Sequence, residues 1–362
     1  MASNVRKIAA NGLPTLIGSL PAADHQQALD WILEATPDIP LWPQLPALPQ
    51  EKMLNQFIEG LPGIIEGKER TYFDIHTDSF NEEQLAFYED YLRVTEHPET
   101  LLDSRFKTSP KRAAGLYLLA KQAGNTPARL TAVKGQVTGP FTMLTGIADI
   151  DHKLGYYDPT FRDIIVKGIA VKAAWQVAYL KQVFDVPIFL FIDEPALAGL
   201  GSSSFISISR ENISQDLAVV TNAIQGNGGL AGVHVCANTD WTILLNSDID
   251  IISFDAYSFF DKFITCKSLI HAFLERGSFI AWGIIPTGEP EHIEKETAES
   301  LIQRWEKQAD LLSGGKWDTG SLLEQTIITP SCGTGSLSPV LARKVLKLTK
   351  EVSAELRKKY LK

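Results

Sequence analysis

A histidine and a cysteine stand two residues apart in the apolar run "LAGVHVC", residues 230–236. Side chains alternate along a strand, so His234 and Cys236 share one face and Val235 takes the other. An imidazole nitrogen and a thiolate on one face can ligate a single metal, zinc above all, at about 2.0–2.3 Å. Two donors do not make a site, and such a pair alone is more often ordinary core. The other cysteines add weight. Cys332, in "ITPSCGTGSLSP", follows a later apolar run and opens a Gly/Ser-rich loop. Cys266, in "FDKFITCKSLI", falls inside a helical pattern and reads as packed. Asp255 ends the run "DIDIISFD"; its carboxylate either completes a His, Cys, Cys, Asp set or orients His234 from behind.

Further candidates sit at the ends of other runs. "VPIFLFID" closes on Asp193, with Glu194 and Pro195 after it. Asp193 either caps the turn that follows, or one of the two acids holds a substrate amine or a catalytic water. "LTAVKGQVTG" carries Gln136 and leads into the Gly139–Pro140 turn, and "TLIGS" ends on Gly18 and Ser19. Glycines at such ends let the backbone approach a ligand closely, or simply make turns. Trp282 and the aromatics of "FDAYSFF" wall a pocket or fill the core.

What positions these residues is a repeated order of elements. Eight runs read as strands: 15–19, 39–44, 130–139, 186–193, 230–236, 248–255, 278–284 and 325–331. Rich in Val, Ile and Phe, they suit strands buried on both faces. Helical patterns lie between them. "DHQQALDWILEA" opens on Asp24 as an N-cap with Gln27 three residues on; 159–184 is long and periodic; 209–226 ends on Gly226. Two more, beginning at Pro290 and Ser338, follow the last strand gaps. Strict alternation implies parallel strands, and eight units in this length point to an α/β (β/α)8 TIM barrel spanning 1–362 as one domain. An open, doubly wound sheet is the alternative, but no G-x-G-x-x-G follows the first run. The interval 45–129 is too long for one connection. It reads as an insertion, with a hairpin near 61–75 and helices near 81–94 and 110–122. That insertion is an arm over the barrel mouth, a subunit contact that would make a homodimer, or a mere decoration.

Composition narrows the class. The chain has 362 residues, 44% hydrophobic and 21% charged, with net charge −9 and three cysteines. This is ordinary soluble composition. No long basic run appears, which argues against nucleic acid as a partner. The N-terminal stretch lacks a continuous apolar core, so no secretory signal is expected, and no run of about eighteen apolar residues suggests a membrane span. A cytoplasmic protein with reduced thiols is the expectation.

At the residues quoted above the chain resembles the catalytic barrel of cobalamin-independent methionine synthase. "IGSLP" is similar to that family's "IGSFP", "IDEPAL" to its "DEPAL", "HVC" to its His-x-Cys zinc pair, and "PSCG" to its "PDCG". "ISFDAY" sits where the family carries a glutamate ligand, so Asp255 is a departure, one methylene shorter. "GIIPTGEPEHIE" also departs from the "DIHSP"-type loop of the long enzymes, a departure that argues against a folate-type donor. The likeness covers essentially the whole chain as one barrel, about half of the long two-barrel enzymes, and so points to short single-barrel relatives. The chain also resembles the zinc methyltransferases of the uroporphyrinogen decarboxylase superfamily, which move a methyl group from a methylated corrinoid protein to coenzyme M. Both resemblances imply a zinc-dependent thiol S-methyltransferase, with Zn2+ on His234, Cys236, Cys332 and Asp255.

In the methionine-biosynthesis version the acceptor is homocysteine. Asp193 or Glu194 would meet its ammonium, Ser19 its carboxylate, and Gly18, Gln136 and Trp282 would shape the pocket. The methyl donor is left open among a methylcobamide, a corrinoid protein and a methylfolate. A coenzyme M acceptor should meet a cation, and no strand end offers one. A structural zinc, or a barrel that docks a corrinoid protein without chemistry, are the other classes.

Overall fold

The runs of β-branched and aromatic residues pair as parallel strands, because each is followed by a helical crossover. The computed structural model describes residues 9–125, 130–201, 205 and 207–361. In chain order they form α1 (His25–Ala35), a hairpin of β1 (Ile64–Glu66) and β2 (Thr71–Phe73), α2 (Phe80–Glu96) and α3 (Ala114–Lys121). Alternation begins with β3 (Val133–Thr138), α4 (Pro140–Gly146), α5 (Pro159–Val183), β4 (Ile188–Asp193), α6 (Arg210–Gly226), β5 (Leu230–Val235) and α7 (Trp241–Leu245). It continues through β6 (Ile251–Phe254), α8 (Ala256–Phe263), α9 (Lys267–Glu275), β7 (Phe279–Ile285), α10 (Pro290–Lys295) and α11 (Ala298–Ser313). It ends with α12 (Thr319–Glu324), β8 (Thr326–Pro330) and α13 (Pro339–Tyr360).

Strands β3 to β8 make one six-stranded parallel sheet in sequence order. Every residue of β3, β4, β6, β7 and β8 is buried, as a sheet covered on both faces requires. Alternation along the strands builds two cores. Phe189, Phe191, Ile251, Phe279, Ala281 and Ile327 pack together inside the curl of the sheet, with Leu13 and Ile39. Their neighbours Ile188, Leu190, Ile192, Val233, Ile252 and Ile328 face the helices in the larger outer core.

The first two expected strands are the point of difference. Residues 15–19 and 39–44 form no regular ladder. They make isolated parallel bridges: Pro14 with Ile328, Ser19 with Gln44, and Leu41 with Lys134. Prolines 14, 40 and 43 have no N–H to donate, so a continuous ladder cannot form there. Gly18, at φ 145°, adds a bend that a residue with a Cβ would resist. The bonds that remain are sound: Ile328 N donates to Leu13 O, Thr15 N to Ile328 O, and Lys134 N to Pro40 O, at 2.9–3.0 Å.

The caps are local. Asp24 accepts from Gln27 N at 2.8 Å, while Gln27 Oε1 takes the N–H of Ala23, one residue before the cap. The hairpin is fixed at both strands. Glu66 on β1 pairs with the buried Arg112, and Arg70, just before β2, donates to Asp149 O at 2.8 Å in the loop after α4. Among the described residues, no helix is long and apolar enough to cross a membrane.

One buried charge strains this packing. Lys172 of α5 is fully enclosed and its Nζ has no hydrogen-bond partner among the described residues. Burial pushes its ammonium down to about 7, against the pull of Glu59. A folded-state pKa below a lysine's ordinary value of 10.5 means the unfolded chain binds more protons between the two values. Stability therefore rises with pH across that window. Lys172→Met should stabilise the protein by about 1–3 kcal/mol near pH 6. The gain should shrink as pH climbs from 7 toward 10, measured as urea-unfolding midpoints of the two proteins.

Candidate metal centre

Parallel register sets the site. Thr138 pairs with Asp193, Asp193 with His234, and His234 with Ser253, so four polar side chains form one rank across β3 to β6. Alternation turns this rank inward, at the carboxyl end of the strands, just above the apolar layer of Phe191 and Ile251. His234 Nδ1 lies 2.9 Å from Ser253 Oγ. Its Nε2 is buried and has no oxygen or nitrogen partner among the described residues. Two residues on, Cys236 leaves β5 on the same face. Cys332, two residues beyond β8, reaches it from the far edge of the sheet.

The donor atoms of His234, Cys236 and Cys332 all lie within 4.8 Å of one another. Cys332 is held by its neighbours. Thr334 N donates to Ser19 O at 2.9 Å, and a Cβ on Gly333 would overlap Ser19 Oγ, so a side chain there would force that hydroxyl to turn away. The hydrogen bond from Cys332, with help from His234, pushes the Cys236 thiol down to about 4, and the same contact together with burial pushes Cys332 up. An orphaned imidazole nitrogen facing two sulfurs, with the other nitrogen fixed by a hydroxyl, is a donor set that fits zinc.

A small cavity of about 150 Å³ opens over this cluster. Its wall includes the three donors, Asp193, Ser19, Thr138, Gln44, Glu51 and Met53. Burial pushes Asp193 up to about 6, while Lys134 and His234 oppose the shift; its Oδ1 has no partner among the described residues.

The comparisons with known proteins bear on the fold. No family model and no curated protein matches the chain. Among solved structures it is similar to a "methyltransferase from Methanosarcina mazei", with TM-score 0.54 and 11% identity over 98% of both chains. At that identity the likeness is one of fold.

Three residues expected at the site lie elsewhere in their roles. Glu194 points the other way from Asp193, as alternation demands. Its carboxylate accepts from Phe141 N at 2.9 Å, Thr142 N at 2.8 Å and Thr142 Oγ1 at 2.6 Å, which caps the N-terminus of α4. Burial still pushes it up to about 7, against those three donors. Gly139 makes room for it, since a Cβ there would overlap the carboxylate. Trp282 is fully buried on the helix side, stacked on Phe260, with Nε1 bonded to Gln308 Oε1 at 2.7 Å; it fills core and is not on the wall of that cavity. Asp255 is the N-cap of α8, where Oδ1 accepts from Ser258 N at 2.8 Å. It lies outside the three-donor cluster, close enough only to be pushed up by burial and by Cys236.

Gln136 and Gly18 lie beneath the wall rather than on it: Gln136 Nε2 donates to Trp42 O at 3.1 Å, and its Oε1 is unpartnered. Cys266 is half-buried against the outer core.

Sequence reasoning missed Lys134, Thr138, Gln44 and Glu51. Lys134 is fully buried in the curl, with Nζ 2.7 Å from Ile17 O and over the Phe191 ring. Burial pushes it down to about 8, against Asp193. The signal was a lysine inside a strand otherwise free of charge. Glu51 gave none, because it lies in the insertion.

Ser253 is the hydroxyl that sets the His234 ring. Ser253→Ala should weaken zinc binding by about 10–100-fold. Competition against a coloured chelator measures this, with Cys266→Ser expected to bind as the wild type does.

Proposed function

We propose that this protein is a zinc-dependent methyltransferase that passes a methyl group to the sulfur of a small amino-acid thiol, with homocysteine the best-fitting acceptor. The observation that carries the reading is the convergence of His234, Cys236 and Cys332 at the carboxyl mouth of a curled parallel sheet, over a cavity that also holds Asp193. The mouth is where such folds do chemistry. The bridges of residues 14, 19 and 41 support closure of the six strands into a single-domain (β/α)8 barrel. The neighbour's description as a methyltransferase agrees with this reading.

Bound zinc would supply the Lewis acidity that lets a substrate thiol ionise at neutral pH. The chain's own groups do the rest. Ser253 fixes the His234 ring so that Nε2 faces the two sulfurs. Asp193, with one oxygen free, meets a substrate ammonium. The loop 333–335, pinned to Ser19, offers that serine to a substrate carboxylate. The apolar layer below the rank keeps water from the floor.

The cavity wall carries Asp193 and Glu51 and no lysine or arginine among its described residues. That favours an ammonium-bearing thiol over a sulfonate such as coenzyme M. The donor is a methylcobamide, a corrinoid protein or a methylfolate, and only assay separates them.

The test is zinc-loaded protein with homocysteine or coenzyme M, offered methylcobalamin and methyltetrahydrofolate. Methionine formation is the expected result. Cys236→Ala and Cys332→Ala should each lose the metal by elemental analysis, whereas Asp255→Ala should keep it. X-ray absorption at the zinc edge should gain a sulfur neighbour when homocysteine is added. Zinc retained in both cysteine variants would overturn the site.

A further inference from the structure

Lys134 touches no substrate in the proposed chemistry, yet it is the charged residue of β3, a strand buried along its whole length. Its ammonium is fully enclosed in the curl, 4.6 Å from the centre of the Phe191 ring, and Nζ donates to Ile17 O at 2.7 Å. An apolar side chain there would avoid the cost of desolvating a charge that meets a carbonyl rather than a carboxylate. The segment it grips shows what the lysine does instead. Residues 14–19 run beside the sheet without a ladder, and their bridges are at Pro14 and Ser19. Ile17 lies between those bridges and is buried, and among the described residues no backbone N–H meets its carbonyl. Lys134 Nζ meets it from β3, past the intervening segment 39–44, which bridges to both.

Two residues on, Ser19 holds the loop that carries Cys332. Thr334 N and Oγ1 donate to Ser19 O at 2.9 and 3.2 Å, and Gly335 N donates to Ser19 Oγ at 3.4 Å. Ile17, Ser19, Cys332 and Gly333 all line the cavity. We propose, resting on the reading in which Ser19 meets the acceptor's carboxylate, that Lys134 is the positioning residue for that contact: by holding Ile17 it keeps Ser19 set to receive the group. Without this tether Ile17 O is a buried acceptor with no donor, and the segment must shift to find one. Gly18 lies between the two at φ 145° and has no Cβ to resist, so the shift passes to Ser19.

Thiol binding to protein loaded with Co2+, followed by the sulfur-to-cobalt absorption at pH 7, separates this role from a general one. The ligands are 4-mercaptobutyrate, which is homocysteine without its amine, and 1-propanethiol, which lacks the carboxylate as well. Neither carries an ammonium, so Asp193 does not enter the comparison. Wild type should bind 4-mercaptobutyrate the more tightly, and Ser19→Ala should lose that preference. Lys134→Met should weaken 4-mercaptobutyrate by about 10-fold and leave 1-propanethiol within about 2-fold. In the Ser19→Ala background the same change should add nothing, because the two residues act as one unit. A loss that persists there marks direct attraction between ammonium and carboxylate and overturns the positioning role. Equal weakening of both thiols, or unchanged binding of 4-mercaptobutyrate, overturns it too. Cobalt content and circular dichroism report whether each variant is folded and loaded. Lys134→Gln, shorter but still an N–H donor, replaces Lys134→Met if the latter does not fold, and is held to the same outcomes. If wild type itself shows no preference for 4-mercaptobutyrate, the carboxylate-binding part of the acceptor reading fails on that protein alone, and the role of Lys134 falls with it.

Discussion

The site depends on register. Parallel strands pair residue against residue, and here the pairing puts Thr138, Asp193, His234 and Ser253 at one height. A slip of one residue in β5 would send His234 to the helix side and bring Val233 or Val235 inward. The apolar core inside the curl forbids that slip, because Gly232 must stay beneath His234. A Cβ there would already meet the Phe191 ring at 3.0 Å, so a side chain at this inward position would have to push that ring aside. Packing one layer down thus fixes the chemistry one layer up.

Alternation also explains how two adjacent acids come to differ. Asp193 and Glu194 share a burial that would neutralise either. Glu194 spends its charge on the N-terminus of α4, where two N–H groups and the Thr142 hydroxyl satisfy it. Asp193 faces the cavity with one oxygen unmatched among the described residues, and the balancing charge is Lys134, two inward-facing positions deeper at the level of Phe189. A buried carboxylate with spare acceptor capacity is a cost to folding that a cationic ligand removes.

The sequence made the six pairing runs and the helices between them legible, because burial on both faces leaves a continuous apolar signal. The first two runs were legible as extended chain but not as bridges, since proline removes ladder donors while leaving the hydrophobic pattern intact. At the site, His234, Cys236 and Cys332 stood out through rare residue types at run ends. Asp193 and Glu194 could not be told apart, because their roles depend on where α4 begins. Trp282 shows the limit of reading an aromatic: its parity along β7 places it outside the curl, and only the register fixes parity. Glu51 lay beyond reach, since nothing local links a turn in the insertion to a cavity.

Asp255 gains its meaning from the same geometry. An aspartate one residue past β6 is a good N-cap, and its short side chain bonds back to Ser258 N, which starts α8 cleanly. A longer acid would reach farther inward and give up that cap. With Asp255 held by the helix, the proposed reading leaves three donors: one imidazole and two thiols that would ionise on metal binding. Two thiolates balance a divalent cation, whereas a carboxylate as fourth ligand would make the centre anionic before any substrate arrived. In the proposed reading, the departure at this position therefore leaves open the fourth position that a catalytic zinc keeps for exchange, and leaves it without the charge that would repel an incoming thiolate.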